Sequence, residues 1–552
     1  MGVKVIRNVR VEMTDGVKLA TNVFLPEQHG TWPVVLVRTA YNRNFVSPTE
    51  FITRNIALVV QDCRGRYASD GIFYPFVNEE RDGYDTLEWI AHQPWCNGKI
   101  GMFGASYLAA TQFYAVISGS KRLSALCPQF MSGDCWKQAY YCNGALSLGL
   151  TWSWLCFETN NRISEAQTMP VFDVAKILKS LPVIELDEKT GAGIVKSYRD
   201  FVSNNVYNPF WERFKLSTKH FEKFNMPVLL IGGWYDYYPV EMLRIFQQLK
   251  KHAMTQKIAD SHRIIIGPWT HGVNQTTVLG EIDFGTESLK ENDAVIRWLD
   301  CILHGKNASE FQKAPIRIFV MGKNIWQDEY EWPPARVKYE KWYIHKGGLL
   351  NKRPPSDQSP DYFDYDPTNP VPTIGGNHSI GPYNPGLYEI ARPGPYDQTI
   401  LEKRKDVLVY TSDVLKQNLE IIGPITFILF ACSSAVDTDF VVKLADVYPD
   451  GRSMNISEGI IRARFRNNIW GRPVLMEPGK VYEFNIEMMD TAYLFKKNHR
   501  IRVYITSSNF PLWDRNLNTG KDPATDTSFQ VARQTIFHDS IRPSHIIFPV
   551  SS

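Results

Sequence analysis

The chain has 552 residues, of which 44% are apolar and 22% charged, with a net charge of +3 and no block of like charge. That composition is globular, fits two or three domains, and argues against nucleic acid as the main partner. No run reaches the ~18 apolar residues of a membrane span, and the start of the chain lacks the apolar stretch of a signal peptide. The eight cysteines show neither C-x-x-C nor metal-ligand spacing, so reduced thiols in the cytoplasm are expected, with no metal and no cofactor.

Residues 3–12 and 17–25 alternate apolar and polar around Thr14-Asp15-Gly16, which predicts a hairpin. Residues 34–37 and 56–60 are short, wholly apolar strands of the kind buried on both faces. Asn78 caps a helix whose stripe is Tyr84, Leu87, Ile90 and Ala91. Residues 100–103 form the next strand, Gly104 gives a tight turn, and residues 107–116 run as a helix. Ser106 stands at that junction. A serine there is lifted clear of the backbone, beside helix N–H groups that have no internal partner. Those are the needs of a nucleophilic hydroxyl in acyl transfer.

The pattern changes over residues 129–225. Residues 135–157, 171–178, 192–201 and 209–214 read as helical and aromatic, a cap inserted over the sheet edge. A buried strand resumes at 226–231 and leads into Gly232-Gly-Trp-Tyr-Asp-Tyr-Tyr238. Another, at 263–267, leads into Pro268-Trp-Thr-His271, and a helix over 286–304 closes the domain. Residues 351–396 are rich in Pro, Gly, Asp and Asn and read as a long surface connection. Beyond them, Phe440, Val442 and Leu444 alternate with Asp439, Val441 and Lys443. Tyr482, Phe484, Ile486 and Met488 alternate with Glu483, Asn485 and Glu487. These are strands of a sandwich or jelly roll.

A serine nucleophile needs a base, and the base needs an orienting acid. Ser106, Asp236 and His271 follow the chain order Ser, acid, His of α/β hydrolases, and the acid and His each follow a buried strand. His92, His262 and His304 read as structural or surface residues.

Ordered segments add to this reading: Val37-Arg-Thr-Ala-Tyr41, Gln61-Asp-Cys-Arg-Gly-Arg66, Asp82-Gly-Tyr-Asp-Thr with Trp89, and Trp95-Cys-Asn-Gly98. They continue with Gly104-Ala-Ser-Tyr107, Gly233-Trp-Tyr-Asp236, Gly267-Pro-Trp-Thr-His271 and Ser507-Ser-Asn-Phe-Pro511. In this combination the chain resembles the cocaine-esterase-like (CocE/NonD) hydrolases. Their kin are α-amino acid ester hydrolases, glutaryl cephalosporin acylases and X-Pro dipeptidyl-peptidases. The family elbow is usually G-x-S-Y-x-G, and its last glycine is Ala109 here.

The resemblance implies an α/β-hydrolase core in two parts, 1–128 and 226–312, a helical cap at 129–225, and a jelly-roll β-sandwich at 313–552. It implies Ser106 as nucleophile, His271 as base and Asp236 as acid. The Tyr41 hydroxyl and the Tyr107 backbone N–H would hold the oxyanion. The acyl pocket is expected between Tyr237 or Tyr238 and the cap residues Trp136, Trp152 and Trp154. Asp62, Arg64 and Arg66 read as an ion-pair network supporting the edge loops. The expected partner is a small ester or amide substrate, with no nucleic acid and no membrane; a homo-oligomer is compatible with the sequence. Two alternatives stand beside the esterase: an X-Pro dipeptidyl-peptidase or α-amino acid ester hydrolase, and a ligand-binding protein acting through its β-sandwich.

Overall fold

Strands without a polar face must be covered on both sides, and the first sheet is built to that requirement. The computed structural model describes residues 2–160, 173–191, 193–306, 309–311, 313–381, 384 and 386–551. The sheet contains β1 (Val3–Glu12), β2 (Lys18–Pro26), β3 (Trp32–Thr39), β4 (Ala57–Asp62), β5 (Cys96–Ala105) and β6 (Leu123–Gln129). It continues with β7 (Leu229–Gly233), β8 (Arg263–Gly267), β9 (Ile316–Val320) and β10 (Ile325–Glu329). The spatial order is β1-β2-β4-β3-β5-β6-β7-β8-β9-β10. Pairs from β4 through β9 are parallel, and the outer pairs are antiparallel.

Side-chain alternation along the strands divides the core in two. Val34, Leu36, Val59 and Met102 pack under α1 (Glu79–Ala91), α2 (Tyr107–Ile117) and α3 (Pro239–His252). Val35, Val37, Leu58 and Val60 face the opposite way, onto Trp298, Leu299 and Leu303 of α4 (Ala294–His304). The sheet runs past residue 312, where the β domain is expected to start, because β9 pairs with β8 and β10 with β9. Among the described residues no helix is long and apolar enough to cross a membrane.

Between β6 and β7 the described α-helices are short: Leu148–Ser153, Val174–Leu178, Leu186–Lys189, Lys196–Ser203, Pro209–Glu212 and Thr218–Phe221. The helix expected from residue 135 begins only at Leu148. Before it, Tyr141–Cys142 and Ala145–Leu146 make a small hairpin, because Asn143 and Gly144 both take positive φ, 44° and 88°. Val171, Phe172 and Ala192, expected in cap helices, lie outside the described residues.

The second domain is largely antiparallel β. Tyr482–Glu487 keeps the expected alternation, with Phe484 and Ile486 inward. Asp439–Val447 does not: all nine residues are buried. Its polar face meets other charges instead of water. Asp439 Oδ1 and Oδ2 accept from Arg462 Nε and Nη2, each at 2.9 Å, and Lys443 Nζ lies 3.2 Å from Glu458 Oε2. Arg462 also donates to Asp514, whose Oδ1 accepts the Leu146 N–H of the cap at 2.8 Å. The segment 351–396 is a surface connection only in its first part: Asp361–Tyr365 is a strand, and Val371, Asn377, His378, Ile380 and Leu387 are buried, with Gly376 paired to Gly394. Cys63, Cys127, Cys135, Cys142, Cys156 and Cys432 are buried free thiols.

Removing Arg462 would leave two buried carboxylates without their counter-charge. Arg462→Ala is expected to cost about 3–5 kcal/mol, read as a lower midpoint in chemical denaturation. An unchanged midpoint would contradict this reading of the interface.

Candidate active site

β5 ends at Ala105 and α2 begins at Tyr107, so Ser106 turns the chain within one residue. It does so at φ 58° and ψ −125°, a conformation that side-chain-bearing residues rarely adopt. Gly104 makes room for the turn, since a Cβ there would lie 2.4 Å from Leu108 Cβ. The Ser106 N–H donates to Gln129 O on β6 at 2.9 Å. The Tyr107 hydroxyl pins the other side: it donates to Glu79 Oε1 at 2.7 Å and accepts from the Phe76 N–H at 3.0 Å.

Two neighbouring strands bring the acid and the imidazole together. Gly233 and Gly267 pair in parallel register at the ends of β7 and β8. The turns that follow touch: the Tyr235 N–H donates to Trp269 O at 2.9 Å, and a Cβ on Gly233 would lie 2.3 Å from that oxygen. Asp236 is fully buried, and its Oδ1 lies 2.9 Å from His271 Nδ1. A carboxylate there keeps the proton on Nδ1 and leaves Nε2 as the basic nitrogen. The rings of Tyr238 and Phe130 flank the imidazole, at 5.6 and 6.1 Å between centroids.

Ser106, Tyr41 and His271 line one cavity of about 540 Å³ at the carboxyl ends of the strands. Tyr41 follows β3. Trp154 Nε1 donates to its hydroxyl oxygen at 2.8 Å, and Ser106 lines the same cavity. Burial, reinforced by the charge of Glu158, holds the phenol above its ordinary value, so it remains a protonated donor. Arg66 ties this turn to the cap. Its Nε donates to Ala40 O at 2.8 Å, while Nη1 and Nη2 donate to Thr159 O at 2.6 Å and Glu158 O at 2.9 Å. Asp62 accepts the Arg43 N–H at 2.7 Å, and Arg64 bonds Asp82 and Asp15; none of these lines the cavity.

Of the five expected acyl-pocket residues, Trp154 lines the cavity and four do not. Trp136 packs on Tyr141 and Trp211 and donates to Ile469 O at 2.9 Å, in the domain interface. Trp152 lies behind the wall, 4.6 Å from the Phe157 ring. The Tyr237 hydroxyl turns away to Ser147 and Trp513. Tyr238 sits against the imidazole rather than in the pocket. Direction of a side chain in an irregular turn has no sequence period, which is why these four are misplaced.

The wall is instead made by Tyr67, Leu108, Leu150, Phe157 and Ile380, with Ser379, Asn384 and Glu158 as its polar points. Glu158 ends the single π-turn Trp154–Glu158. Burial pushes its carboxylate up to about 7, although Asn384 Nδ2 donates to it at 2.6 Å. One signal marks it in the sequence: it is the first charged residue after Lys137.

A buried carboxylate, an imidazole and a hydroxyl beside a neutral phenol form the donor and acceptor set of nucleophilic acyl transfer. Known proteins agree with this chemistry. The X-Pro dipeptidyl-peptidase (S15 family) signature matches residues 15–273, and the X-Pro dipeptidyl-peptidase C-terminal non-catalytic domain matches 309–547. The chain is 34% identical over 583 residues to a cocaine esterase of Rhodococcus sp. (strain MB1 Bresler), covering 99% of this chain and 98% of that one. An aminopeptidase from the marine sediment archaeon Thaumarchaeota archaeon shares the fold, with TM-score 0.86 and 24% identity over 100% of this chain and 97% of the other. So does an α-amino acid ester hydrolase, with TM-score 0.85 and 23% identity over 99% and 96%. The chain therefore belongs to the cocaine-esterase-like (CocE/NonD) hydrolase family and is a serine hydrolase.

Proposed function

We propose that the chain hydrolyses esters of small acyl groups through an acyl-enzyme on Ser106. His271 Nε2 takes the hydroxyl proton as the Ser106 oxygen attacks the carbonyl carbon. The Tyr41 hydroxyl and the Tyr107 N–H donate to the oxyanion, and the imidazolium returns its proton to the departing alkoxide. Water, deprotonated by His271, then attacks the acyl-enzyme and releases the acid. Asp236 keeps the imidazole in the right tautomer and stabilises its cation. The observation that carries the reading is that His271, bonded through Nδ1 to buried Asp236, shares a cavity with Ser106 and Tyr41. Trp154 supports the role of Tyr41: its N–H occupies the phenol oxygen, so the phenol proton is free to point at substrate.

An ester is favoured because the full-length relative at 34% identity is a cocaine esterase. The cavity wall, mostly aliphatic and aromatic, suits an apolar acyl group. One observation favours a second reading. Glu158 is the acid of the cavity wall, and an ionised carboxylate there would attract a cationic amino group. The names of the two structural relatives, an aminopeptidase and an α-amino acid ester hydrolase, fit such a substrate.

Three outcomes test these readings. A fluorophosphonate should label the wild type once, and Ser106→Ala should abolish labelling; an unlabelled wild type would sink the mechanism. Tyr41→Phe removes one oxyanion donor and should lower kcat by about 10²–10³-fold with little change in KM. The third is a pH profile. Glu158 is held at about 7 instead of 4.5, so its charge is present above that pH and is lost as pH falls through it. The kcat/KM ratio of a trimethylammonium ester to its neutral tert-butyl isostere should therefore rise with pH around 7. Taking the ratio cancels any pH dependence that the two substrates share. Glu158→Gln should flatten the profile, and a flat wild-type profile would refute the amine reading.

A further inference from the structure

The turn that carries Asp236 is held from the second domain. Residues 234–238 join β7 to α3. Asn377 Nδ2 donates to Trp234 O at 2.6 Å, the Tyr235 hydroxyl donates to Asn455 O at 3.3 Å, and Trp513 Nε1 donates to the Tyr237 hydroxyl at 3.1 Å. These contacts stand on both sides of Asp236, and all three partners lie in the β domain. Asn377 is itself fixed. Its N–H donates to Glu458 Oε1 at 3.1 Å, while Glu458 Oε2 accepts from Asn509 Nδ2 at 2.9 Å and faces Lys443 Nζ at 3.2 Å. Asn377, Trp513, Lys443 and Glu458 are all at least 98% buried, so water does not compete for these bonds.

The acid needs such a hold. Its Oδ1 meets His271, but its buried Oδ2 has no donor among the described residues. Side-chain hydrogen bonds therefore do not fix the carboxylate plane; the backbone of the turn must. The Ser106 turn differs, being held by Gln129, Glu79 and Phe76 of its own domain.

We propose that Asn377 and Trp513 are positioning residues for the catalytic acid. The β domain keeps the Asp236 carboxylate aimed at His271 Nδ1, through Lys443–Glu458–Asn377 on one side and Trp513–Tyr237 on the other. This rests on the reading of Asp236 as the orienting acid.

The test uses the full chain with Asn377→Ala, Trp513→Phe, Tyr237→Phe and the double variant of the last two. Activity on a p-nitrophenyl ester is expressed per fluorophosphonate-labelled site, which removes any loss from misfolding. The downfield proton resonance of His271 Nδ1–H is recorded alongside. A displacement of ~1 Å can cost about 100-fold, so each single variant should lose about 10-fold in kcat with KM nearly unchanged, and the resonance should shift or broaden. The double variant should be no worse than Tyr237→Phe, which already removes the bond to Trp513 together with the one to Ser147. Asp236→Asn supplies the reference, with an expected loss of about 10⁴-fold. If that loss appears while the other variants keep wild-type kcat and resonance, the positioning role is refuted and the triad stands. If Asp236→Asn keeps wild-type kcat, the triad reading itself fails.

Discussion

The parallel pairing of β7 with β8 is the constraint on which the site depends. Gly233 lies opposite Gly267, and the acid and the imidazole sit three and four residues beyond that pair. A slip of one residue would move one turn by about 3.3 Å and reverse every side chain behind it. A hydrogen bond of 2.9 Å does not survive such a shift. Both strands are buried on both faces, so the register is enforced by the whole sheet. The chemistry at the rim thus draws on the packing of residues that never meet substrate.

Buried ion pairs inside the second domain back its contact with the cap, where Asp514 accepts the Leu146 N–H. Arg462 lies between Asp439 and Asp514, and Lys443 lies against Glu458, all of them buried. Such pairs add little net stability over well-packed apolar groups, because desolvation offsets their attraction. What they give is a fixed position for Asp514, which bonds Leu146 of the cap, and for Glu458, which holds Asn377 against the Trp234 carbonyl. Arg38, buried against Glu79 beneath the Ser106 elbow, follows the same logic within the first domain.

Much of this architecture is legible in the residues. Wholly apolar strands, the Gly104-Ala-Ser junction and the Gly-rich turns after β7 and β8 are local patterns, and local patterns encode which element ends where. The tip of the cap hairpin was equally local: Asn143-Gly144 is a strong turn signal, but the surrounding aromatic spacing masks it. Residues 371–396 mislead for another reason. Proline, glycine and asparagine mark the absence of regular structure, which is not the same as exposure: residues 375–381 are buried, with Gly376 bonded to Gly394 and the Asn377 N–H to Glu458. Asp439 and Lys443 look like a solvent face until their counter-charges, distant in sequence, are placed beside them. The cavity wall is least legible, since Glu158, Ile380 and Asn384 converge only through tertiary packing.

The origin of that wall has a consequence for how such a protein can change. Tyr41 and Tyr67 come from the sheet unit, Leu150 to Glu158 from the insertion, and Ser379, Ile380 and Asn384 from an irregular segment of the β domain. A chain ending after β10 would retain the Ser106 turn but lose Ser379, Ile380 and Asn384 from the cavity wall. The halves are therefore not interchangeable modules. Selection for a new diet can act on the far half of the polypeptide while leaving the reacting groups untouched, so homologues with one reaction centre are free to diverge in taste.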